Sequence, residues 1–349
     1  MKTKKLCIVI FAVCFAAVTG AGFIVSQLYF PVSSHSHAVQ EKVQIPMGTG
    51  TIKVAKLLKE KGLIRSEKFF VLAARVPFFY GRVKPYAIKS GIYNIDSSMT
   101  QASILELLDS GKQEYLKVVF PEGLTLGKIA LMLEAEGVCS AADFREAATS
   151  YELLEKYQIP ADSLEGYLFP DTYFFNPSMD AKAVVSMMAD NFFDRIKTIQ
   201  GLSEKSPSEL FDILIMASIV EREYRVESEA PLIASVFYNR LEDNVGFYSC
   251  ATIEYIITEI LGRPHPDVIT YEDLQINSPY NTYKWAGLPP SPISNPGLVA
   301  LSAAANPPKT DYYYFTLTNA EKGTHAFTKS FGSHIRAGMQ LKTKKAATK

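Results

Sequence analysis

A glutamate closing an apolar helix is the arrangement in this chain best suited to acid–base chemistry. In Ser206-Pro-Ser-Glu-Leu-Phe-Asp-Ile-Leu-Ile-Met-Ala-Ser-Ile-Val-Glu221, Ser206 and Glu209 stand at capping-box spacing. Pro207 takes the first helical position, where a missing N–H costs nothing. Leu210, Leu214, Ala217, Ser218 and Glu221 follow at helical spacing and share one face. Phe211, Ile215 and Ile219 make the opposite face apolar too, so protein is expected on all sides of this helix. Apolar surroundings disfavour a charged carboxylate, so Glu221 is expected to keep its proton near neutral pH, as a general acid must. The competing reading is a glutamate that emerges into solvent or pairs with Arg222 or Arg225.

Other groups with chemical potential are more scattered. Glu223 lies about 200° around the helix from Glu221, so the two cannot converge while the helix continues. Glu165, Asp171, Glu227 and Glu229 reach a common cleft only through tertiary folding. Tyr173, beside Asp171 in the aromatic segment Leu164–Phe175, and Ser249 are further candidates for contact with substrate. So are Ser278, Tyr280, Asn281 and Tyr283, from a turn-forming stretch whose Asn, Ser and Tyr side chains suit a cleft lining. A Cys250 nucleophile with His325 or His334 would need an oxyanion hole and a triad order, neither of which is legible. His35 and His37 lack a third ligand, so no metal is expected, and no cofactor. Cys139 and Cys250 are read either as one disulfide or as two free thiols.

These groups must be positioned by a chain of 349 residues, long enough for two or three domains, with 48% hydrophobic and 21% charged residues. Lys+Arg and Asp+Glu balance at 36 each, which gives no basic bias towards nucleic acid. Lys2, Lys4 and Lys5 precede an uncharged run over 6–30. That run is about long enough to span a bilayer, and it continues bulky where a signal peptide would offer small residues for cleavage. The expectation is a single-pass anchor with residues 1–5 cytoplasmic and the body outside. A polar linker follows over 31–40. Pro46-x-Gly48, Ala55, Leu58, Gly62 and Phe69 then recur 75 residues later at Pro121-x-Gly123, Ala130, Leu133, Gly137 and Phe144. Each copy reads as strand, turn, amphipathic helix and second helix. Between the copies, 91–95 reads as a strand and 101–108 as a helix. Strands are also expected over 311–318 and 325–327, and the lysine-rich 341–349 is read as a solvated tail.

The strand-turn-helix units resemble LysM-like modules, which implies binding to N-acetylglucosamine-containing glycans. Seven segments in order give a broader resemblance. They are Leu164-Glu-Gly-Tyr-Leu-Phe-Pro-Asp-Thr-Tyr173, Ala217-Ser-Ile-Val-Glu-Arg-Glu223, Val236-Phe-Tyr-Asn-Arg-Leu241, Ser278-Pro-Tyr-Asn-Thr-Tyr283, Gly287-Leu-Pro-Pro-x-Pro-Ile293, Asn295-Pro-Gly297 and Gly323-x-His-x-Phe327 with His334. Together they resemble the endolytic murein transglycosylase family, the YceG-like proteins. The resemblance implies an α+β fold: an anchor over 6–30, a LysM-like domain over 41–117 and a YceG-like catalytic domain over 118–340, with 118–150 repeating the first module. It implies Glu221 as catalytic acid and cleavage inside peptidoglycan glycan strands to leave 1,6-anhydro-muramyl ends. It also implies a place at the cytoplasmic (inner) membrane, and a role in ending strand elongation beside peptidoglycan synthases. One segment departs from the pattern. Where the family has Gln-Ser-Asp-Pro-Thr, this chain has Tyr248-Ser-Cys-Ala-Thr252, so Cys250 replaces a carboxylate. Two other classes stay open: a muramidase, which needs a second convergent carboxylate, and a non-catalytic glycan-binding scaffold.

Overall fold

The computed structural model describes residues 15, 18–34, 36, 38–46, 48–112, 115–177 and 179–347. The chain divides into two compact units between Tyr115 and Leu116. Most of the first half of the expected anchor, with Cys7 and Cys14, lies outside the described residues, as do His35 and His37. Among the described residues no helix is long and apolar enough to cross a membrane.

In the first unit a helix over 18–29 (α1) leads to β1 (Gln40–Ile45), α2 (Thr51–Glu60), α3 (Glu67–Arg75), β2 (Gly91–Asp96) and α4 (Gln101–Ser110). β1 and β2 pair antiparallel with Val43 opposite Tyr93, so their inward faces meet the apolar stripes of the helices. Val43, Val54, Leu58, Phe70, Ile95 and Leu105 are fully buried. The end of α1 belongs to this unit: Leu28 joins the same core, and the Tyr80 hydroxyl donates to its carbonyl at 2.6 Å.

The second unit repeats that order. β3 (Leu116–Val119), α5 (Leu126–Ala135), α6 (Ala141–Ala148) and the short α7 (Tyr151–Lys156) precede β4 (Thr172–Phe175). β4 pairs antiparallel with β3, Val118 facing Tyr173. The turn glycines also correspond, Gly48 with Gly123 at φ of 75° and 77°, Gly62 with Gly137 at 69° and 72°. The 75-residue repeat is therefore a strand–helix–helix–strand module present twice, its closing strand hidden in the aromatic segment in the second copy.

A helical layer completes this unit: α8 (Ala181–Ile196), α9 (Pro207–Glu223), α10 (Ala230–Glu242), α11 (Cys250–Tyr255) and α12 (Leu298–Ala305). α9, α10 and α12 pack on one another, and Leu214, Met216, Ala217, Ile219 and Val220 of α9 are wholly buried. A hairpin of β5 (Tyr314–Asn319) and β6 (Thr324–Thr328) packs with α13 (Phe331–Ala347). β5 thus starts three residues after the strand expected from 311. The expected tail is helical through Ala347, and residues 348–349 lie outside the description.

α9 begins as its sequence predicts. Ser206 Oγ accepts from the Glu209 amide and the Glu209 carboxylate accepts from the Ser206 amide at 3.0 Å. Ser206→Ala is expected to lower stability by about 1 kcal/mol in urea unfolding. Turnover should not change, since Glu221 lies about four turns away. An unchanged urea midpoint would show that the box does not support the helix in solution.

Candidate active site

The last turn of α9 carries Glu221 to the edge of the core, where two distant segments meet it and a third braces them. The first is the loop before α12. Ser218 lies wholly buried one turn back; its hydroxyl donates to Ile215 O and accepts from the Ile293 amide at 3.0 Å, while Ser294 Oγ donates to Ser218 O. This stitching lays Asn295-Pro-Gly297 along the helix end, and the Gly297 amide donates to Glu221 Oε2 at 3.0 Å. The Tyr224 hydroxyl donates to Oε1 at 3.3 Å.

The second segment is the turn after β3. Leu124 and Asn295 form an antiparallel bridge, with the Asn295 amide donating to Leu124 O and the Gly123 amide to Asn295 O. Gly123 has φ of 77°, and a methyl group there would stand 3.5 Å from Glu221 Cγ and 3.3 Å from Arg222 Cδ. Glycine thus meets two demands, the left-handed backbone and the close approach of α9. The same bridge sets Glu122 against Gly297, where an added methyl would fall 1.7 Å from Glu122 Oε1. Residue type and spacing did not single out Glu122. Its signal was available in the repeat, whose turn holds Met47 in the first copy and a carboxylate in the second.

The third segment is the aromatic stretch. Glu165, 3% exposed, accepts from the Leu126 amide with both oxygens at 3.0 Å and from Asn295 Nδ2 at 2.9 Å. Asn295 also donates to Leu124 O and accepts from the Leu168 amide. Glu165 therefore holds the frame behind Glu221.

Burial pushes the Glu221 carboxyl up to about 7, reinforced by the Glu122 charge and opposed by the Gly297 amide, Tyr224 and Arg222. A carboxyl poised there can donate a proton and take one back near neutral pH, which is what a general acid–base group requires. Burial likewise raises Glu165 to about 8, and Glu223 to about 7.

Glu223 turns away from Glu221, as the helical spacing requires, and accepts from Ser249 Oγ. Nearby, Cys250 Sγ lies 3.1 Å from the Tyr283 hydroxyl. Ser249 and Tyr283 thus gather around Glu223 and Cys250. The remaining candidates have their polar atoms engaged elsewhere. Asp171 pairs with Arg195 at 2.6 Å, and the Tyr173 hydroxyl donates to Phe169 O. Ser278 Oγ accepts from the Tyr280 amide, and the Tyr280 hydroxyl bonds Ser291. Buried Asn281 donates to Leu274 O and Ile276 O and accepts from the Tyr283 amide. His325 is paired with Glu229 through Nδ1 at 2.7 Å, so it has a carboxylate partner rather than a thiol. Cys139 and Cys250 are both free thiols, the second of their two sequence readings. Among the described residues no cluster of three potential ligands could hold a metal ion.

The raised carboxyls make stability fall with pH. Glu165, Glu221 and Glu223 bind protons more tightly folded than unfolded, where a glutamate titrates near about 4.3. Their contribution is fully present below that value and is lost as pH rises through 7 to 8. His334, lowered by burial, acts in the opposite sense at lower pH. Thermal unfolding should show a falling midpoint towards alkaline pH, and Glu165→Gln should flatten part of the fall. A slope as steep in the variant as in the wild type would refute the assignment.

The α+β unit thus brings a carboxyl that holds its proton near neutral pH to the meeting point of a helix end, a glycine turn and a proline-rich loop. The model of the YceG-like family matches residues 43–340, and this chain belongs to that family. It is 30% identical over 341 residues to an endolytic murein transglycosylase of Bacillus subtilis, covering 92% of this chain and 90% of that one. A Streptococcus pneumoniae protein of the same name is 29% identical over 309 residues, and the chain spans about half its length, 53%. In a crystal structure of a YceG-like protein from Listeria monocytogenes the same fold appears. It has a TM-score of 0.56 and 31% identity, and the match covers 85% of this chain and 99% of that one.

Proposed function

We propose that this chain is an endolytic murein transglycosylase with Glu221 as its single acid–base group. The observation that carries the reading is the half-buried Glu221 carboxyl, held near neutrality between the Gly297 amide and the Tyr224 hydroxyl. The protonated carboxyl gives its proton to the glycosidic oxygen that follows N-acetylmuramic acid as the C1–O bond breaks. The resulting carboxylate takes the proton of that sugar's 6-hydroxyl, and O6 bonds to C1. A 1,6-anhydro end forms, water is not consumed, and the acid is regenerated.

The relatives named for this activity support the substrate class, internal bonds of peptidoglycan strands. We further read 6–30 as the anchor that holds the chain at the cytoplasmic membrane, N-terminus inside. There the enzyme would cut nascent strands beside their synthases and so end elongation. The first module, with its antiparallel β1–β2 pair under two helices, is read as LysM-like and glycan-binding.

A second reading, a muramidase, draws on the nearness of Glu122, because hydrolysis needs two carboxylates. Mass spectrometry of the ends released from purified glycan strands separates the two. Internal 1,6-anhydro-muramyl ends are expected. Reducing muramyl ends would overturn the transglycosylase reading in favour of the hydrolase. Strand binding without any cleavage would leave only the scaffold.

A further inference from the structure

We propose that Glu122 is a positioning carboxylate of this active site, which sets the protonation of Glu221 by repelling its ionised form. The inference deepens the reading of Glu221 as the acid and rests on it. Glu122 and Glu221 come from segments 99 residues apart, yet both close on one backbone unit. The Gly297 amide binds Glu221 Oε2, and Gly297 Cα has Glu122 Oε1 where a side chain would begin. The Tyr224 hydroxyl serves both, donating to Glu221 Oε1 and lying close enough to Glu122 to favour its charged form. One hydroxyl proton cannot satisfy two carboxylates at once. Two like charges gathered on one backbone unit disfavour double ionisation, and the Glu122 charge adds to burial in raising Glu221.

The charges around the pair leave this repulsion standing. Glu227, from the turn between α9 and α10, faces Glu122 and adds to the negative field, and loss of solvent raises Glu122 itself. Arg222 is the cation nearest Glu221, but its guanidinium is held at 2.7 Å by Glu254, which His265 also approaches at 3.5 Å. Much of its charge is therefore already answered.

The pair would act in both halves of the reaction. Before bond cleavage, Glu122 keeps the proton on Glu221. After that proton has passed to the departing oxygen, two carboxylates face each other. Taking the 6-hydroxyl proton onto Glu221 relieves the repulsion while O6 closes on C1. No proton is gained or lost over the cycle.

The test is the pH profile of kcat/KM for the full chain on purified glycan strands, with anhydro-end formation as the readout. In Glu122→Gln the alkaline midpoint should fall by about half a unit to one unit. That is a roughly three- to ten-fold loss on the alkaline side, with little change below pH of about 5.5. Glu122→Asp should keep the wild-type midpoint. Gly297→Ala, whose backbone φ of −85° suits alanine, should displace the Glu122 carboxylate and lower the midpoint without removing the charge from the chain. Equal fractional loss at every pH with an unmoved midpoint in both Glu122→Gln and Gly297→Ala would overturn the proposal and leave Glu122 a turn-shaping residue. Full activity in Glu221→Gln would sink the acid assignment and this inference together. Reducing ends with a shifted midpoint would overturn only the transglycosylase reading.

Discussion

Glu221→Gln is expected to lower the rate of strand cleavage by about 10³-fold, the range in which a positioned general acid contributes. The amide keeps the size of the side chain and can still accept from the Gly297 amide, so the site should stay assembled and strand binding should persist. What it cannot do is give up a proton to a glycosidic oxygen. The same substitution also removes a carboxyl that burial pushes up to about 7. At pH of about 8 the wild type must hold that group ionised at a cost, and the variant need not. Its thermal midpoint should therefore equal or exceed that of the wild type at alkaline pH. Loss of activity accompanied by loss of folding would point to a structural glutamate. Retention of more than about a tenth of the activity would place the acid elsewhere.

The second large effect is expected at Asn295. It is 1% exposed and makes three side-chain hydrogen bonds, to Leu124 O, Glu165 and the Leu168 amide. Asn295→Ala strips all three partners in a place water reaches poorly. Each buried group left without a partner costs about 1–3 kcal/mol, partly recovered by local relaxation, so a total near 3 kcal/mol is expected. For a unit of this size that corresponds to a fall of about 6–12 °C in Tm. Turnover should drop even where the protein remains folded, because the bridge to Leu124 places Gly297 against Glu221 and Glu122 against Gly297. A folded, fully active Asn295→Ala would show that the loop finds its position without this side chain.

Much of the frame is local physics and was legible. The capping box at Ser206, the all-round apolar pattern of α9 and the glycine-punctuated repeat each depend on residues a few positions apart, so sequence spacing translates directly into geometry. The antagonism between Glu221 and Glu223 is of the same kind, a consequence of the helical period alone. Residue type was a poorer guide to the cleft. Asn281, Tyr173 and Glu165 look like sugar-binding side chains on paper. In the structure Asn281 answers the carbonyls of its own loop, Tyr173 lies in the core and Glu165 anchors a helix start. Buried polar groups must be satisfied by whatever lies nearest, and a sequence does not say what that is.

The sequence by itself determined that a carboxylate would end a helix apolar on all sides, and it left open whether that carboxylate would keep a proton or emerge into solvent beside Arg222 or Arg225. The helical period decides the first and is written in neighbouring residues, whereas the second depends on what packs around the helix end. Only the tertiary structure decided what meets that carboxylate. The Leu124–Asn295 bridge joins residues 171 apart and brings a turn glutamate and a glycine amide to the helix end, where the Tyr224 hydroxyl already stands three residues on. Contacts of that separation depend on the summed packing of β3, α9 and α12, and no local period encodes them.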